Sequence, residues 1–517
     1  MLPRHAAWLF VCAAYLIPFP YFERLNNPNE NARVWATRAI VQHHVLNLDA
    51  VMAEWGYVND KAKNDKHVYS GKAPGTSLLG VPVLWLHGKL RQLVGWPPPD
   101  KRATTFWLRL GAVKLPMLAF LFAFARYVRR VTGSEAASDL LVVALGLGTL
   151  LYPYGGLFVG HALAAAAAFG AYLLLDHPDN DVFDGARSRL RLGGAGLLAG
   201  ATVMFEYQAA LVAVALSVYA VARFRMRAVA VVVGALPAAI ALGAYHTALF
   251  GRPWRFPFGN VENPEFARAH VAGFHGLSLP HGTAFASFLV SPGYGLFAFS
   301  PVLLVGVVAA AMMIGRGGHP RRDGILVAAI CGVMFVFLAG MSNWRAGWCV
   351  GPRYIATVAP FLILPIVKLW PRIGSRWWVL ALVAGATLPS VLLNVVSGAL
   401  YPHYPEPFDN PVFDLAFPLL GDGYAAGGLG LLLGLRGAAA MLPLALAVLA
   451  ALALAVGGEA SEPKPWARQL GLSIAIAAVF TLVLSGYGRK PRPDEAHAAA
   501  VVRQLWEPPA GLPSAKN

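Results

Sequence analysis

The chain has few charged residues and few cysteines. Asp, Glu, Lys and Arg make up only 13% of its 517 residues, whereas soluble globular domains carry about 25%. The three cysteines, Cys12, Cys331 and Cys349, have no spacing typical of a metal site, and the first two lie in apolar runs. These deficits argue against an ordinary soluble domain, a zinc-binding module and a disulfide framework.

Familiar catalytic signatures are also missing. No HExxH, GxSxG, paired CxxC or dinucleotide-binding glycine pattern occurs in a context that supports it, and the chain has no P-loop. Nothing in the sequence therefore points to a redox cofactor or to ATP hydrolysis.

Apolar residues are abundant instead, at 57% of the total. This composition is typical of a polytopic membrane protein. The formal net charge of +16 is then explained by Arg- and Lys-rich cytoplasmic loops and not by nucleic-acid binding. The chemistry that fits such a chain is one whose activated donor already resides in the membrane.

Five arginine clusters set the predicted topology, because two spans must separate each neighbouring pair if all five face the cytoplasm. The clusters are Arg126, Arg129 and Arg130; Arg187, Arg189 and Arg191; Arg223, Arg225 and Arg227; Arg316, Arg321 and Arg322; Arg372 and Arg376. Spans that satisfy the condition lie near 105–125, 136–153, 157–176, 191–206, 208–223, 228–250, 293–314, 324–341, 353–370, 377–398, 436–456 and 470–487. With a retained signal anchor at 6–22, we predict an all-α fold of about 13 transmembrane helices, with the N-terminus inside and the C-terminal tail outside.

The apolar stretch 74–90 does not fit this alternation. It contains Pro82, His87 and Lys89, so we interpret it as an amphipathic or re-entrant helix at the outer interface. The first outer loop then covers 23–104 and a second large outer loop covers 251–292. Aromatic residues are frequent in the outer loops 342–352 and 399–425, where they suit sugar stacking or an ordinary interfacial belt.

Glu30 is the leading candidate for a catalytic residue. The run from Asn27 to Glu30 predicts a helix start, with Asn27 as N-cap and Pro28 in the first helical position. Three roles for Glu30 stay open: a capping box on Asn27, a surface ion pair with Arg33, or a general base at the membrane–water boundary.

Lys72 is the leading candidate for binding an anion. The mixed-charge patch 60–67, which begins with Asp60, is predicted to be a solvated loop. The following segment, from Tyr69 to Gly75, places Lys72 beside two glycines at the start of the interfacial helix, where backbone N–H groups also face an anion. Simple snorkelling of Lys72 towards lipid headgroups is the alternative.

Arg109 stands at the predicted outer start of the second span, where an ionisable residue suggests function. Its guanidinium would complement Lys72 on a phosphate group. Further residues near the predicted outer boundary are candidates to line a polar pocket, and they are Arg33, Asp60, His161, Glu206, Trp344 and Arg353.

Four places resemble the GT-C superfamily of integral-membrane glycosyltransferases, most closely the branch of protein O-mannosyltransferases and the lipid A aminoarabinose transferase. They are Glu30 in NPNENAR; Tyr69, Lys72 and Pro74 in YSGKAPG; Arg109 in RLGAVKLP; and the late segment GWCVGPRYIATVAPFLILPI. Mannosyltransferases carry a doubled acid where this chain has Glu30 alone, and relatives carry Pro-Pro where this chain has Ala73-Pro74.

The resemblance implies a sugar donor linked to polyprenyl phosphate and a hydroxyl acceptor on a glycan, lipid or protein. The reaction would take place on the extracytoplasmic side of a bacterial cytoplasmic membrane. Glu30 would deprotonate the acceptor, while Lys72, Arg109 and Tyr69 would bind the donor phosphate. Residues 1–398 would form the catalytic region, and 399–517 would add an outer loop, the last two spans and an extracytoplasmic tail. No metal ligand is assigned, and the use of a divalent cation stays open.

Other functions are compatible with many spans. A secondary transporter or lipid flippase would explain the charged span ends, but transporters commonly show internal repeats, and none is evident here. A non-catalytic subunit of a cell-envelope assembly and a membrane transferase of another group are further alternatives.

Overall fold

The computed structural model describes residues 6–25, 27–178, 180, 185–264, 267–268, 273, 276–374, 376–457, 463–486 and 492–506. Within them the chain is mainly helical, with one short antiparallel hairpin between β1 (Lys61–Lys63) and β2 (Val68–Ser70). The α-helices in the described part are α1 Ala6–Leu16, α2 Pro28–Arg38, α3 Asp49–Trp55, α4 Gly75–Leu93, α5 Lys101–Leu108, α6 Leu115–Thr132, α7 Glu135–Gly146, α8 Leu151–Gly155, α9 His161–Leu175, α10 Ala186–Phe205, α11 Ala210–Phe224, α12 Val229–Phe250, α13 Gly282–Val290, α14 Leu296–Phe299, α15 Val302–Ile314, α16 His319–Gly340, α17 Ala359–Ile373, α18 Trp377–Leu400, α19 Phe417–Gly421, α20 Leu429–Leu432, α21 Leu442–Gly457, α22 Pro463–Ser485 and α23 Pro493–Leu505.

Short π and 3₁₀ segments join several of these helices into longer units. A π-helical segment, Arg109–Lys114, connects α5 to α6, and the 3₁₀ segment Arg353–Val358 leads into α17. Seven stretches of the described chain are long and apolar enough to cross a membrane. The protein is thus a helical, multi-pass membrane protein, while the predicted number of 13 spans is not confirmed.

One predicted span differs from the observed helices for a local reason. The span predicted at 136–153 is divided into α7 and α8, because the chain leaves the helix at Leu147 and Gly148. The predicted spans 208–223 and 228–250 correspond to α11 and α12, which are joined by the 3₁₀ turn Arg225–Ala228.

The first loop is more ordered than its charges indicated. Lys61 is almost fully buried, pairs with Glu262 at 2.6 Å and lies over the ring of Tyr57. The prediction of a plain solvated loop at 60–67 is therefore wrong for this residue. The bridge of Ala62 with Val261 brings Glu262 against Lys61, and a charge pattern alone does not reveal such pairing.

Helix α4 lies where the interfacial helix was expected and is not among the seven stretches that qualify as spans. Its N-terminus packs against the end of α10, since a Cβ on Gly75 would lie 2.6 Å from the Met204 carbonyl oxygen. Its distal turns expose Trp85, Leu86 and Leu90. Such exposed apolar side chains are expected of a helix in contact with lipid.

The core forms where small residues let helices approach closely. Helix α10 packs against α9 and α12, and a Cβ on Gly196 would lie only 1.9 Å from the Val231 carbonyl oxygen. Close approach through small residues is how membrane helices gain packing contacts. The late helix α21 returns to pack on α1 and α7, and α22 packs on α18.

We expect Gly196→Ala to destabilise the protein by about 1–3 kcal/mol, because its methyl group must push α10 away from α12. The measurement is the melting temperature of the purified protein, read as the loss of monodisperse elution after heating. Gly332→Ala is the matched control, since no atom lies within 4 Å of a Cβ at this helical position. A melting temperature for Gly196→Ala equal to that of Gly332→Ala would contradict the close packing.

Candidate functional site

Glu30 lies in the first turn of α2, as the capping pattern predicted. The Asn27 side chain caps the helix by accepting a hydrogen bond from the Glu30 backbone N–H. The Glu30 carboxylate is buried and accepts two hydrogen bonds from Arg109, one from Nε to Oε1 and one from Nη2 to Oε2, both at 2.7 Å. The backbone N–H of Phe158 donates a third, also at 2.7 Å, to Oε1. The carboxylate therefore bonds to Arg109 and Phe158 and does not close a capping box.

This bidentate ion pair governs the charge of Glu30. Burial by itself raises the pKa of the carboxyl, but the Arg109 charge, its hydrogen bonds and the Phe158 N–H outweigh burial, so the pKa of Glu30 lies below its ordinary value. Arg109 also donates from Nη1 to the Pro20 carbonyl oxygen at 2.8 Å. Arg109, expected to bind a phosphate beside Lys72, thus has its donors engaged within the protein.

Arg33 pairs with Glu206 and not with Glu30 of its own helix. Its Nη2 lies 2.8 Å from Oε1 of Glu206, which follows α10, and its Nη1 donates to the Asn29 carbonyl oxygen at 2.9 Å. The hydroxyl groups of Thr37 and Ser77 both donate to the Arg33 carbonyl oxygen. These contacts fix α2 against α4 and α10, and they replace the helix-surface pair of Arg33 with Glu30.

Lys72 stands between the hairpin and α4 and forms an ion pair with Asp60. Both side chains are partly exposed, at 18% and 19%. A Cβ on Gly71 would lie 3.2 Å from the Asp60 carbonyl oxygen, so the glycine allows the close approach of the two segments. The cation of Lys72 is accessible but already neutralised.

Tyr69, expected near the phosphate, lies in a separate small core. It packs edge-on against Phe250, with ring centroids 5.9 Å apart, and clusters with Ala62 and Leu249. Its hydroxyl accepts a hydrogen bond from Asn64 at 3.2 Å. Among the contacts described for Tyr69, none joins it to Lys72 or Glu30, so its position supports the hairpin.

His161 lies at the N-terminus of α9, beside the carboxylate of Glu206. Its Nδ1 is 3.3 Å from Oε1 of Glu206, and its ring packs edge-on against Tyr154 and Tyr354. Neither ring nitrogen has a hydrogen-bond partner among the described residues, although the ring is buried. Nε2, which has no such neighbouring carboxylate in the described chain, is therefore available to a ligand.

In the described part of the chain, Arg353 lacks the carboxylate partner that Arg33, Lys72 and Arg109 each have. Within the described residues no carboxylate lies within ion-pair distance of it, and its buried Nε has no hydrogen-bond partner. Its guanidinium lies 5.6 Å from the ring centroid of Tyr354. Trp344, the remaining predicted pocket residue, packs on Tyr294 at 5.6 Å instead.

His403 belongs to the same group and was not predicted. Its Nδ1 lies 3.4 Å from the Asn27 side-chain nitrogen. Burial lowers the pKa of His403 to about 3, opposed by the Glu30 charge and reinforced by Arg109 and Arg353. The ring is thus neutral at physiological pH. The signal that could have identified it is a histidine between two tyrosines in the predicted outer loop 399–425.

The carboxylates do not form an evident metal site. Glu30, Glu206 and Asp60 each lie against a cationic side chain. In the part of the chain that the structure describes, no three His, Cys, Asp or Glu residues converge in the manner of metal ligands.

Comparison with known proteins finds no matching family model and no matching curated protein. Among solved structures, the chain is similar to ArnT of Cupriavidus metallidurans in the apo state, with 17% identity, a TM-score of 0.45, and coverage of 92% of this chain and 75% of ArnT. The same protein bound to undecaprenyl phosphate gives a TM-score of 0.44 at 17% identity, with coverage of 92% and 76%. The oligosaccharyltransferase AglB of Archaeoglobus fulgidus, in complex with an inhibitory peptide and a dolichol-phosphate, gives 0.36 at 13% identity, with coverage of 77% and 56%. ArnT and AglB are both members of the GT-C superfamily.

Proposed function

We propose that this protein is a membrane glycosyltransferase that transfers a sugar from a polyprenyl-phosphate donor to a hydroxyl acceptor on the extracytoplasmic side. One observation carries the proposal. Glu30, Arg33, Glu206, Lys72 and His161 converge at one end of the bundle, beside an arginine without a carboxylate partner. This arrangement offers a proton acceptor and an anion site together.

In the proposed reaction Glu30 receives the proton of the acceptor hydroxyl. The acceptor oxygen forms a bond to the anomeric carbon, the bond from that carbon to the phosphate oxygen breaks, and its electron pair leaves with the polyprenyl phosphate. Oε2 of Glu30 accepts a hydrogen bond from Arg109 Nη2. Because a carboxylate oxygen has two lone pairs, the second lone pair of Oε2 can receive the proton. Arg109 keeps Glu30 ionised and so able to accept a proton, although the lowered pKa also makes the carboxylate a weaker base.

Arg353 is proposed as the main phosphate ligand, a role first expected of Arg109. Fixed cations stabilise charge that develops on a leaving group, and a guanidinium binds phosphate with two parallel hydrogen bonds. Arg353 can do this without breaking an ion pair. Lys72 would contribute less to phosphate binding than Arg353, because it must first give up its ion pair with Asp60.

An apolar groove supports a lipid-linked donor. Residues of α4, α5 and the following π segment line a groove of about 700 Å³, including Val83, Leu90 and Trp107. Val83 lies eight residues after Gly75, and an α-helix rises about 1.5 Å per residue, so the groove begins about 12 Å from the end of α4 nearest Lys72. A prenyl chain attached to a phosphate at the site could reach it.

Glu30→Gln should lower sugar transfer by about 100-fold or more, because an amide cannot accept the proton. The assay follows radiolabelled sugar from a lipid-linked donor pool into acceptor in membranes that contain the variant. Glu54→Gln is the matched control, since Glu54 also pairs with an arginine in the first loop, away from the site. Parental transfer by a folded Glu30→Gln protein would falsify the base assignment.

Arg353→Ala should raise the donor KM by about 10-fold or more through loss of charge-assisted hydrogen bonds, with a smaller rise for Lys72→Ala. Arg353→Lys should recover part of the loss, and the acceptor KM should change little. Arg345→Ala is the control, because this nearby arginine contacts the Glu406 carbonyl oxygen. A donor titration of Arg353→Ala that overlays the parental curve would rule out the phosphate role.

Cysteine labelling tests the side of the membrane. Lys66 is exposed, so Lys66→Cys should react with a membrane-impermeant maleimide in intact cells. Arg126→Cys, at the other end of the bundle, should react only after lysis. The reverse labelling pattern would invert the proposed orientation.

A further inference from the structure

A second polar cluster lies at the opposite ends of helices that carry the candidate site. His161 begins α9 and Asp176 follows its last residue, while Arg353 begins the unit of the 3₁₀ segment and α17 and Lys368 lies further along it. At about 1.5 Å per residue, the 15 positions between each pair correspond to about 22 Å. Arg109 and Arg130 are likewise separated along the continuous α5–α6 unit. The second cluster therefore lies at the other membrane boundary.

Two carboxylates and two cations occupy the centre of this cluster. Lys368 Nζ lies 2.5 Å from Asp176 and 3.3 Å from Asp323. Arg223 lies 3.2 Å from Asp176, and Tyr219 donates a hydrogen bond of 2.7 Å to Asp323. These contacts join the ends of α9, α11, α16 and α17. The four charges offset one another, so this part of the cluster has a sufficient structural explanation.

A cavity of about 310 Å³ lies beside these ion pairs, and the structural role of the pairs does not account for it. Arg130 and His319 line it together with the four paired charges. Arg130 is exposed and its guanidinium lies 5.4 Å from the ring centroid of Tyr127. No carboxylate of the described chain is within ion-pair distance of Arg130.

The charges that line the cavity are unequal. Arg130, Arg223 and Lys368 supply three positive charges, against two negative charges from Asp176 and Asp323. Two of the five arginine clusters contribute to the lining, through Arg130 of α6 and Arg223 of α11, and His319 adds the start of α16. Basic pockets at this boundary attract anionic lipid headgroups.

We propose that this cavity binds the phosphate-containing headgroup of an anionic phospholipid from the leaflet opposite the Glu30 site. The volume suits a small headgroup, since ligand pockets begin at about 300 Å³. Arg130 would bind the phosphate from the mouth of the cavity, with Lys368 and Arg223 behind it. The tyrosine ring beneath Arg130 holds its guanidinium at the mouth. The lipid would strengthen the junction of the four helix ends.

The test uses the full-length protein purified in a neutral detergent. Dioctanoyl phosphatidylglycerol, dioctanoyl phosphatidylcholine and inorganic phosphate are titrated separately, and bound ligand is counted by native mass spectrometry. We expect saturable binding of phosphatidylglycerol, about tenfold weaker in Arg130→Ala, because one charge-assisted contact is lost. Arg126→Ala is the matched control, as this exposed arginine lies one turn earlier on α6 and does not line the cavity.

Each outcome decides the question. Phosphatidylglycerol binding that Arg130→Ala weakens and Arg126→Ala leaves unchanged supports the lipid site. Arg130-dependent binding of inorganic phosphate without phosphatidylglycerol binding keeps the anion site and overturns the lipid as its source. Equal binding of phosphatidylglycerol by the parent and both variants, or no binding at all, overturns the proposal. None of these results depends on sugar transfer.

Discussion

The buried ion pair of Glu30 with Arg109 is the interaction on which the candidate site depends. It joins the first turn of α2 to the unit of α5 and α6, and the Phe158 N–H adds the segment before α9. Removing one member of a buried pair leaves an uncompensated charge and costs several kcal/mol. The pair therefore fixes the position of Glu30 and keeps it ionised, and both properties matter to a carboxylate that accepts a proton.

The same pairing determines which cation is available to a ligand. Arg109, Arg33 and Lys72 each have a carboxylate partner, whereas Arg353 has none among the described residues. A bidentate pair would have to break before Arg109 could bind a phosphate, and that loss would weaken binding. The proposed phosphate site therefore lies at the start of the α17 unit, next to His161, and not in the first loop where the sequence placed it.

Polar residues are placed at both ends of shared helices, with apolar spans between them. His161 and Asp176 bound α9, and Arg353 and Lys368 are separated by the same 15 positions. The neighbouring helix α10 packs against α12 through small residues such as Gly196. Charges at the ends avoid the cost of burial at the centre of the bilayer, and their mutual contacts fix the order in which the helices meet.

The sequence by itself determined the membrane class, the helix start at Asn27 and the set of polar residues near one boundary. These features follow from local composition and local hydrogen bonding, which a single segment carries. It could not determine which charges pair, because Glu30 and Arg109 are 79 positions apart and Arg33 and Glu206 are 173 apart. The inward turn of Lys61, the unpaired Arg353 and the approach of His403 likewise arise only when distant segments meet. Tertiary structure decided them because an ion pair depends on distance in space, to which separation along the chain is no guide.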